Sequence, residues 1–244
     1  MTPDMNPREK MKHIPVLGLW LESAYRALTR RRSVTFEIRR RSNCLPADAT
    51  ILQIGSNDGK TNDPLHQLII RFKRWRVIFV EPVPYLFERL KRNYGQDSRF
   101  SFVNAAVNDG RPATFYFVDP EARRSMPGQP DFIEGLGSFD RSNITQYSGG
   151  ILEPYIRNLL VSGVTLEKLL HDERITTLHL LHIDAEGHDW RILQQLNLGR
   201  MKPKIILFEE HHLSRADQAS ARRSLAPHYE MMAINGDCLC TLRA

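Results

Sequence analysis

Short apolar runs punctuate this chain, and each stops on a glycine, an acid or an amide. Residues 51–54 (ILQI) stop at Gly55, 76–80 (RVIFV) at Glu81, 100–103 (FSFV) at Asn104, 179–183 (HLLHI) at Asp184 and 204–208 (KIILF) at Glu209. Runs of this length, rich in β-branched and aromatic residues, predict buried strands. The stretches between them read as helices over 63–74, 84–94, about 188–197 and onward from about Ser214. Strands alternating with helices argue for a parallel sheet covered on both faces. Acids are costly to bury unpaired, so the strand ends belong at an edge. In open α/β sheets that edge, outside the carboxyl ends, is where ligands bind.

Two further strands are predicted over 229–234 and 238–242, separated by Asn235-Gly236, a strong two-residue hairpin signal. They add an antiparallel margin, which makes the expected fold a seven-stranded mixed α/β sheet with helices on both faces. Residues 113–118 (ATFYFV) also read as a strand. The rhythm breaks over 119–150, which holds five glycines and three prolines. A segment this long within a compact domain is expected to be a functional lid or a linker. Asn143-Ile144-Thr145 matches a glycosylation acceptor, which a cytoplasmic chain would not use.

Charge divides the chain in two. Residues 1–45 hold ten basic and four acidic side chains, whereas 46–244 hold 24 of each, so the net charge of +6 sits entirely on the N-terminal segment. That segment is read as a basic helical extension, with a helix over about 16–31, and 46–244 as the main domain. The clusters Arg30-Arg31-Arg32 and Arg39-Arg40-Arg41 suit a solvated helix end, and also peripheral contact with anionic lipid. Nucleic acid is disfavoured, because no aromatic residues are interleaved for base stacking. The apolar stretch 14–21 closes at Glu22 without a small-residue cleavage site, unlike a signal peptide. No run approaches the roughly 20 apolar residues that span a bilayer. Three cysteines (44, 238 and 240) without paired spacing imply reduced thiols and a cytoplasmic setting, with Cys238-x-Cys240 read as strand residues rather than zinc ligands.

Three motifs carry chemistry. In Gly55-Ser56-Asn57-Asp58-Gly59 a buried strand enters a glycine-rich turn, where the backbone can approach a ligand closely. Its Gly-x-x-x-Gly spacing is not that of a dinucleotide pyrophosphate site. Glu81, followed by Pro82, ends the second strand, where an acid can accept hydrogen bonds from both ribose hydroxyls of a nucleoside. Asn104-Ala105-Ala106 offers small side chains and an amide to an adenine, or forms only a turn. Finally, Asp184-Ala185-Glu186-Gly187 and Glu209-Glu210-His211-His212 end adjacent strands and present acids and a histidine over one edge. Helix N-terminal chemistry accounts for Glu186 and Asp189, but poorly for Glu209, Glu210 and His211. His182 is expected to be a core histidine.

Gly55-Ser56-Asn57-Asp58-Gly59, Glu81-Pro82, the run 164–170 (VTLEKLL) and Ile183-Asp184-Ala185-Glu186-Gly187 together resemble the FkbM-type methyltransferases over about residues 48–212. The resemblance implies a Rossmann-like class I fold and S-adenosylmethionine as cofactor. It implies cofactor contacts from Gly55, Ser56, Asn57, Gly59, Glu81 and Pro82, to which the residue reading above adds Asn104 and Ala105. The family pattern in the first loop is Asp-x-Gly-x-Asn-x-Gly, and Gln53 replaces its acid here. Members methylate hydroxyls of sugars or polyketide-type products. The short chain and basic N-terminus are also similar to rhizobial enzymes that modify a fucose on lipo-chitooligosaccharide signals. An O-methyltransferase needs a base for the acceptor hydroxyl. Asp184 and His211 are the candidates, with Glu209 orienting the histidine or binding a sugar hydroxyl. A divalent cation such as magnesium on these carboxylates is the alternative. A nucleic-acid methyltransferase and a non-catalytic cofactor-binding regulator are the rival readings; the intact acidic edge argues against the second.

Overall fold

The computed structural model describes residues 33–126, 131–145 and 150–243. The helix expected over 16–31 lies outside them. The described chain opens with α1 (Val34–Ser42), capped by the Ser33 hydroxyl, which accepts from the Phe36 N–H. Strand β1 (Thr50–Ile54), helix α2 (His66–Arg71), strand β2 (Arg76–Val80), helix α3 (Pro84–Tyr94) and strand β3 (Phe100–Val103) follow in alternation. The short β4 (Ala106–Val107), then β5 (Ala113–Val118), α4 (Glu121–Ser125), β6 (Gly137–Ser138), α5 (Arg141–Thr145), β7 (Ile156–Val161) and β8 (Gly163–Val164) form an insertion. The alternation then resumes with α6 (Leu166–Asp172), β9 (Leu180–Ile183), α7 (Asp189–Leu193), β10 (Ile205–Glu209) and α8 (Arg215–Leu225). The chain ends in β11 (Tyr229–Ile234) and β12 (Asp237–Leu242).

The main sheet has seven strands in the order β11-β12-β10-β9-β1-β2-β3, all parallel except for β12 against β10 and β11. This is the expected mixed sheet. The hairpin turn is as expected too: Asn235 and Gly236 take φ of 53° and 106°, the positive pair that suits a tight turn between twisted strands. Residues 113–118 do form a strand, but outside the main sheet. β5 pairs antiparallel with β6 and β7 in a separate three-stranded sheet.

Strand alternation splits the core into two layers. Leu52, Ile54, Ile78, Val80, Leu181, Ile183 and Phe208 face one side, and Ile51, Val77, Phe79, Leu180, Ile205 and Leu207 the other. Burying each such side chain is worth about 1.5–3 kcal/mol, and a one-residue slip would exchange the two faces. The register at the strand ends is therefore held firmly. Helix α1 joins the second layer through Ile38, which is fully buried. Arg39 and Arg40 are exposed as expected, but Arg41 is not a solvated charge. Its Nε donates to Thr241 Oγ1 at 3.0 Å and its guanidinium pairs with Glu37, tying α1 to β12. Cys238 and Cys240 are buried strand residues, with sulfurs 3.7 Å apart. Among the described residues, no helix is long and apolar enough to cross a membrane.

Candidate active site

From β1 the chain builds outward through β2 and β3, then returns to the other side of β1 with β9 and β10. The carboxyl ends therefore diverge between β1 and β9, leaving a crevice at the reversal point. A cavity of about 330 Å³ opens there. It is lined by Gly55, Ser56 and Asn57 after β1, by Glu81 and Pro82 after β2, by Ala105 and Ala106, and by Asp184, Glu186 and Glu209.

Gly55 takes φ +76°, and a Cβ on it would lie 1.7 Å from the Asp184 carbonyl oxygen. The close approach at this glycine is thus to the neighbouring strand end as well as to the cavity. Ser56 is a buried clamp: its hydroxyl donates to the Gln53 carbonyl at 2.9 Å and accepts the Val80 N–H at 3.1 Å. Glu81 is 4% exposed, and both of its carboxylate oxygens are held. Oε2 accepts the Asn57 N–H at 2.8 Å and Oε1 the Val83 N–H at 2.9 Å. Each oxygen keeps a second lone pair. Burial, only partly offset by these bonds, raises its pKa to about 7.

Two expected cofactor residues stand elsewhere. Gly59 does not line the cavity. It packs against α3, where a Cβ would lie 2.5 Å from both Leu90 and Tyr94. Asn104 is exposed and outside the lining, with its amide donating to the carbonyls of Glu81 at 2.8 Å and Pro82 at 3.1 Å. It braces the β2 exit, and only its neighbours Ala105 and Ala106 reach the cavity.

The acidic end holds the main correction. His211 is exposed and outside the cavity lining, its backbone N–H tied to Gly236 at 3.0 Å. The histidine that holds the site's carboxylates is His212, itself behind the cavity lining, whose Nδ1 lies 3.0 Å from both Glu186 Oε2 and Glu209 Oε2. Hydrogen bonds to these two carboxylates raise its pKa to about 10, so it is an imidazolium at neutral pH. The strand has ended at Glu209, and the turn brings the side chain three residues on back beside it. That Glu-x-x-His spacing was the available signal. Glu210, also expected at this edge, is turned to α8, where Arg222 binds it at 3.1 and 2.8 Å.

Asp184 lines the cavity and is exposed there, on a strand end closely surrounded by protein atoms. Burial, then the nearby carboxylates of Glu186, Glu209, Asp189 and Asp237, push its carboxyl well above the ordinary range. Asp189, fully buried, buckles the two strand ends together by accepting the Ala185 N–H at 3.2 Å and the Glu209 N–H at 3.1 Å. The ligand atoms of Glu186, Glu209 and His212 lie within 4.8 Å of one another, a spacing that suits a cation once His212 is neutral.

The described part of the 119–150 insertion roofs the cavity with Gly135, Leu136, Gly137 and Phe139. It is fastened from below. Ser138 Oγ and Asn143 Nδ2 donate to the Glu186 carbonyl at 2.9 and 2.8 Å, and Glu186 itself takes φ +46°. Beneath the roof, a Cβ on Gly135 would fall 1.7 Å from the Asn57 amide.

Residues 53–235 match the model of the methyltransferase FkbM domain. No curated protein sequence matches the chain. Solved structures with a similar fold include a fibrillarin/Nop5p complex (12% identity, TM-score 0.41, covering 82% of this chain and 75% of that one). Another is a TehB-like S-adenosylmethionine-dependent methyltransferase from Corynebacterium glutamicum (12% identity, TM-score 0.38, covering 93% and 97%). These likenesses are distant. The family model spans most of the chain and takes in every strand-end motif that builds the cavity, and on that ground the protein belongs to the FkbM methyltransferase family.

Proposed function

We propose that the chain is an S-adenosylmethionine-dependent O-methyltransferase whose acceptor is a hydroxyl on a sugar, in a glycan or glycolipid. The cavity suits that cofactor. Val83, Ala105, Ala106, Val107 and Phe115 make an apolar wall for a purine, and Glu81 offers free lone pairs to ribose hydroxyls. Its lining carries five carboxylates, those of Asp63, Glu81, Asp184, Glu186 and Glu209, and no lysine or arginine among the described residues. That balance favours a cationic ligand.

The observation that carries the reading is Asp184. When bound, S-adenosylmethionine supplies a methyl group already activated on a sulfonium. What the protein adds is alignment of the acceptor oxygen and removal of its proton. A carboxylate whose pKa is raised is a stronger base than an ordinary one, and burial and neighbouring carboxylates make Asp184 such a group at the cavity surface. His212 is charged at neutral pH and so is a donor, holding Glu186 and Glu209 in place. Carboxylates at this end accept hydrogen bonds from sugar hydroxyls and repel a phosphate backbone, which disfavours nucleic acid. The basic charge of residues 1–45 suits peripheral contact with anionic lipid, where a glycolipid acceptor resides.

The test is a transfer screen with methyl-labelled donor against glycan, lipid-linked glycan and RNA fractions. Label in an alkali-stable ether on a sugar supports the reading, and label only in RNA or protein overturns it. A second reading rests on the spacing of Glu186, Glu209 and His212. Activity lost in EDTA and restored by magnesium would make these three cation ligands. With His212 protonated between the carboxylates, activity should instead withstand the chelator.

A further inference from the structure

Three atoms of cavity-lining residues, Gln53 Oε1, Asp63 Oδ2 and His182 Nδ1, are buried without a hydrogen-bond partner of acceptable geometry. Gln53 is 1% and His182 5% exposed. They are direct neighbours on the parallel strands β1 and β9, so their side chains leave the same face of the sheet. Asp63 reaches that face from the loop after Gly59. Its Oδ1 accepts the Leu65 N–H at 2.7 Å, which fixes the carboxylate, and Oδ2 has no partner of good geometry although the Gln53 side chain and the His66 N–H lie close to the carboxylate. Buried polar atoms are seldom left unpaired, and three in one cavity wall point to a ligand that satisfies them.

Their chemistry says which ligand. Burial lowers the His182 pKa to about 4, so the ring is neutral and one of its nitrogens accepts. Burial raises Asp63 to about 6, the Leu65 N–H and the nearby Gln53 side chain only partly offsetting it, and at neutral pH it is still mostly ionised. With the His182 tautomer that carries its proton on Nε2, the trio presents three acceptors and a single negative charge, in a cavity without a lysine or arginine in its described lining. A primary ammonium has three N–H donors and one positive charge.

We propose that Asp63, Gln53 and His182 form a receptor for a primary alkylammonium, the α-amino group of the cofactor's aminoacyl tail. The proposal rests on the reading that this cavity takes S-adenosylmethionine, and ligand pairs separate the two. The probes are S-adenosylhomocysteine and 5′-methylthioadenosine, which keeps the nucleoside and lacks the amino-acid tail. Calorimetry on the full chain should show that Asp63→Asn, which retains an oxygen for the Leu65 N–H, weakens S-adenosylhomocysteine at least tenfold. It should leave 5′-methylthioadenosine unchanged. Should Asp63→Asn not fold, Asp63→Ser keeps a capping oxygen without the charge and serves as the second variant. Equal losses for both ligands, or no loss for either, overturn the receptor. A wild-type protein that binds the two ligands equally well also overturns it while sparing the cofactor reading, and one that binds neither overturns both.

Discussion

A Cβ added to Gly55 would stand 1.7 Å from the main-chain oxygen of Asp184. The first loop and the acidic strand end are in contact through bare backbone, and the obstacle is a peptide group that cannot swing aside. Gly55→Ala should therefore cost stability twice. The left-handed conformation is worth roughly 1–2 kcal/mol against a non-glycine residue, and the clash adds to it. We expect a loss of at least about 2 kcal/mol in urea unfolding. An unchanged midpoint would mean that the two strand ends separate easily, and the site with them.

Glu81→Gln tests the ribose assignment without emptying the space. Both oxygens of Glu81 accept backbone N–H groups, and an amide can accept with only one of its two ends. The variant should bind S-adenosylhomocysteine more weakly by about 1.5–3 kcal/mol, the range for hydrogen bonds to a charged group. Titration calorimetry giving wild-type affinity would remove Glu81 from the cofactor site.

Asp184→Asn should lower turnover by roughly 10²–10⁴ with the fold intact. Since burial and neighbouring carboxylates disfavour a charge on Asp184, the neutral amide should also hold the melting temperature at or above the wild-type value. His211→Ala should leave both quantities near wild type, because that side chain lies outside the cavity lining. If His211→Ala instead abolishes turnover while Asp184→Asn does not, the assignment of the base is reversed.

The pH dependence of stability carries a definite sign. Burial raises Glu81, Asp189 and Asp237 to about 7 and Asp63 to about 6. In the unfolded chain these carboxyls titrate near roughly 4. The folded protein thus holds more protons across that interval. The stabilisation is complete below about pH 4 and is lost as pH rises through about 7. Carboxyls held low, such as Asp58, act in the opposite sense only at still lower pH. His212, raised to about 10, adds stability that is complete below about 6.5 and lost as pH rises through about 10. His182 and His188, lowered to about 4 by burial, add stability as pH rises to about 6.5, so the ligand-free protein should have a falling urea midpoint between about pH 6.5 and 8. A midpoint that climbs over this range would contradict the buried-carboxylate picture.

Much of this architecture was legible in the chain because its signals are local. Asn235-Gly236 specifies its turn through two positive φ angles, and β1, β2, β9 and β10 announce themselves by apolar runs that end on Gly55, Glu81, Asp184 and Glu209. What stayed hidden depends on the direction of a side chain after regular structure stops. His211 and His212 are adjacent, and only the three-residue spacing from Glu209 to His212 hints at which one the turn folds back onto Glu209. Glu210 finds its partner twelve residues later on α8, a contact no spacing rule supplies. Residues 113–118 have the composition of a strand, but composition does not name the partner strand, and theirs lies in a second sheet. Asp63 gave no signal, since it stood only as the first residue of a predicted helix.

The roof of the cavity has its own apolar cluster, built around Val118, Ile133, Leu136, Ile144 and Leu152, separate from the two layers beneath the main sheet. Exchanges within that cluster can reshape the ceiling without disturbing the strands that hold the cofactor end. An acceptor of different size could thus be accommodated by altering a patch that the central fold does not depend on. The hydrogen bonds of Ser138 and Asn143 to the Glu186 carbonyl would fasten any new ceiling beside the same carboxylates. On the proposed function, diversification of the acceptor and retention of the chemistry would fall to different parts of the chain.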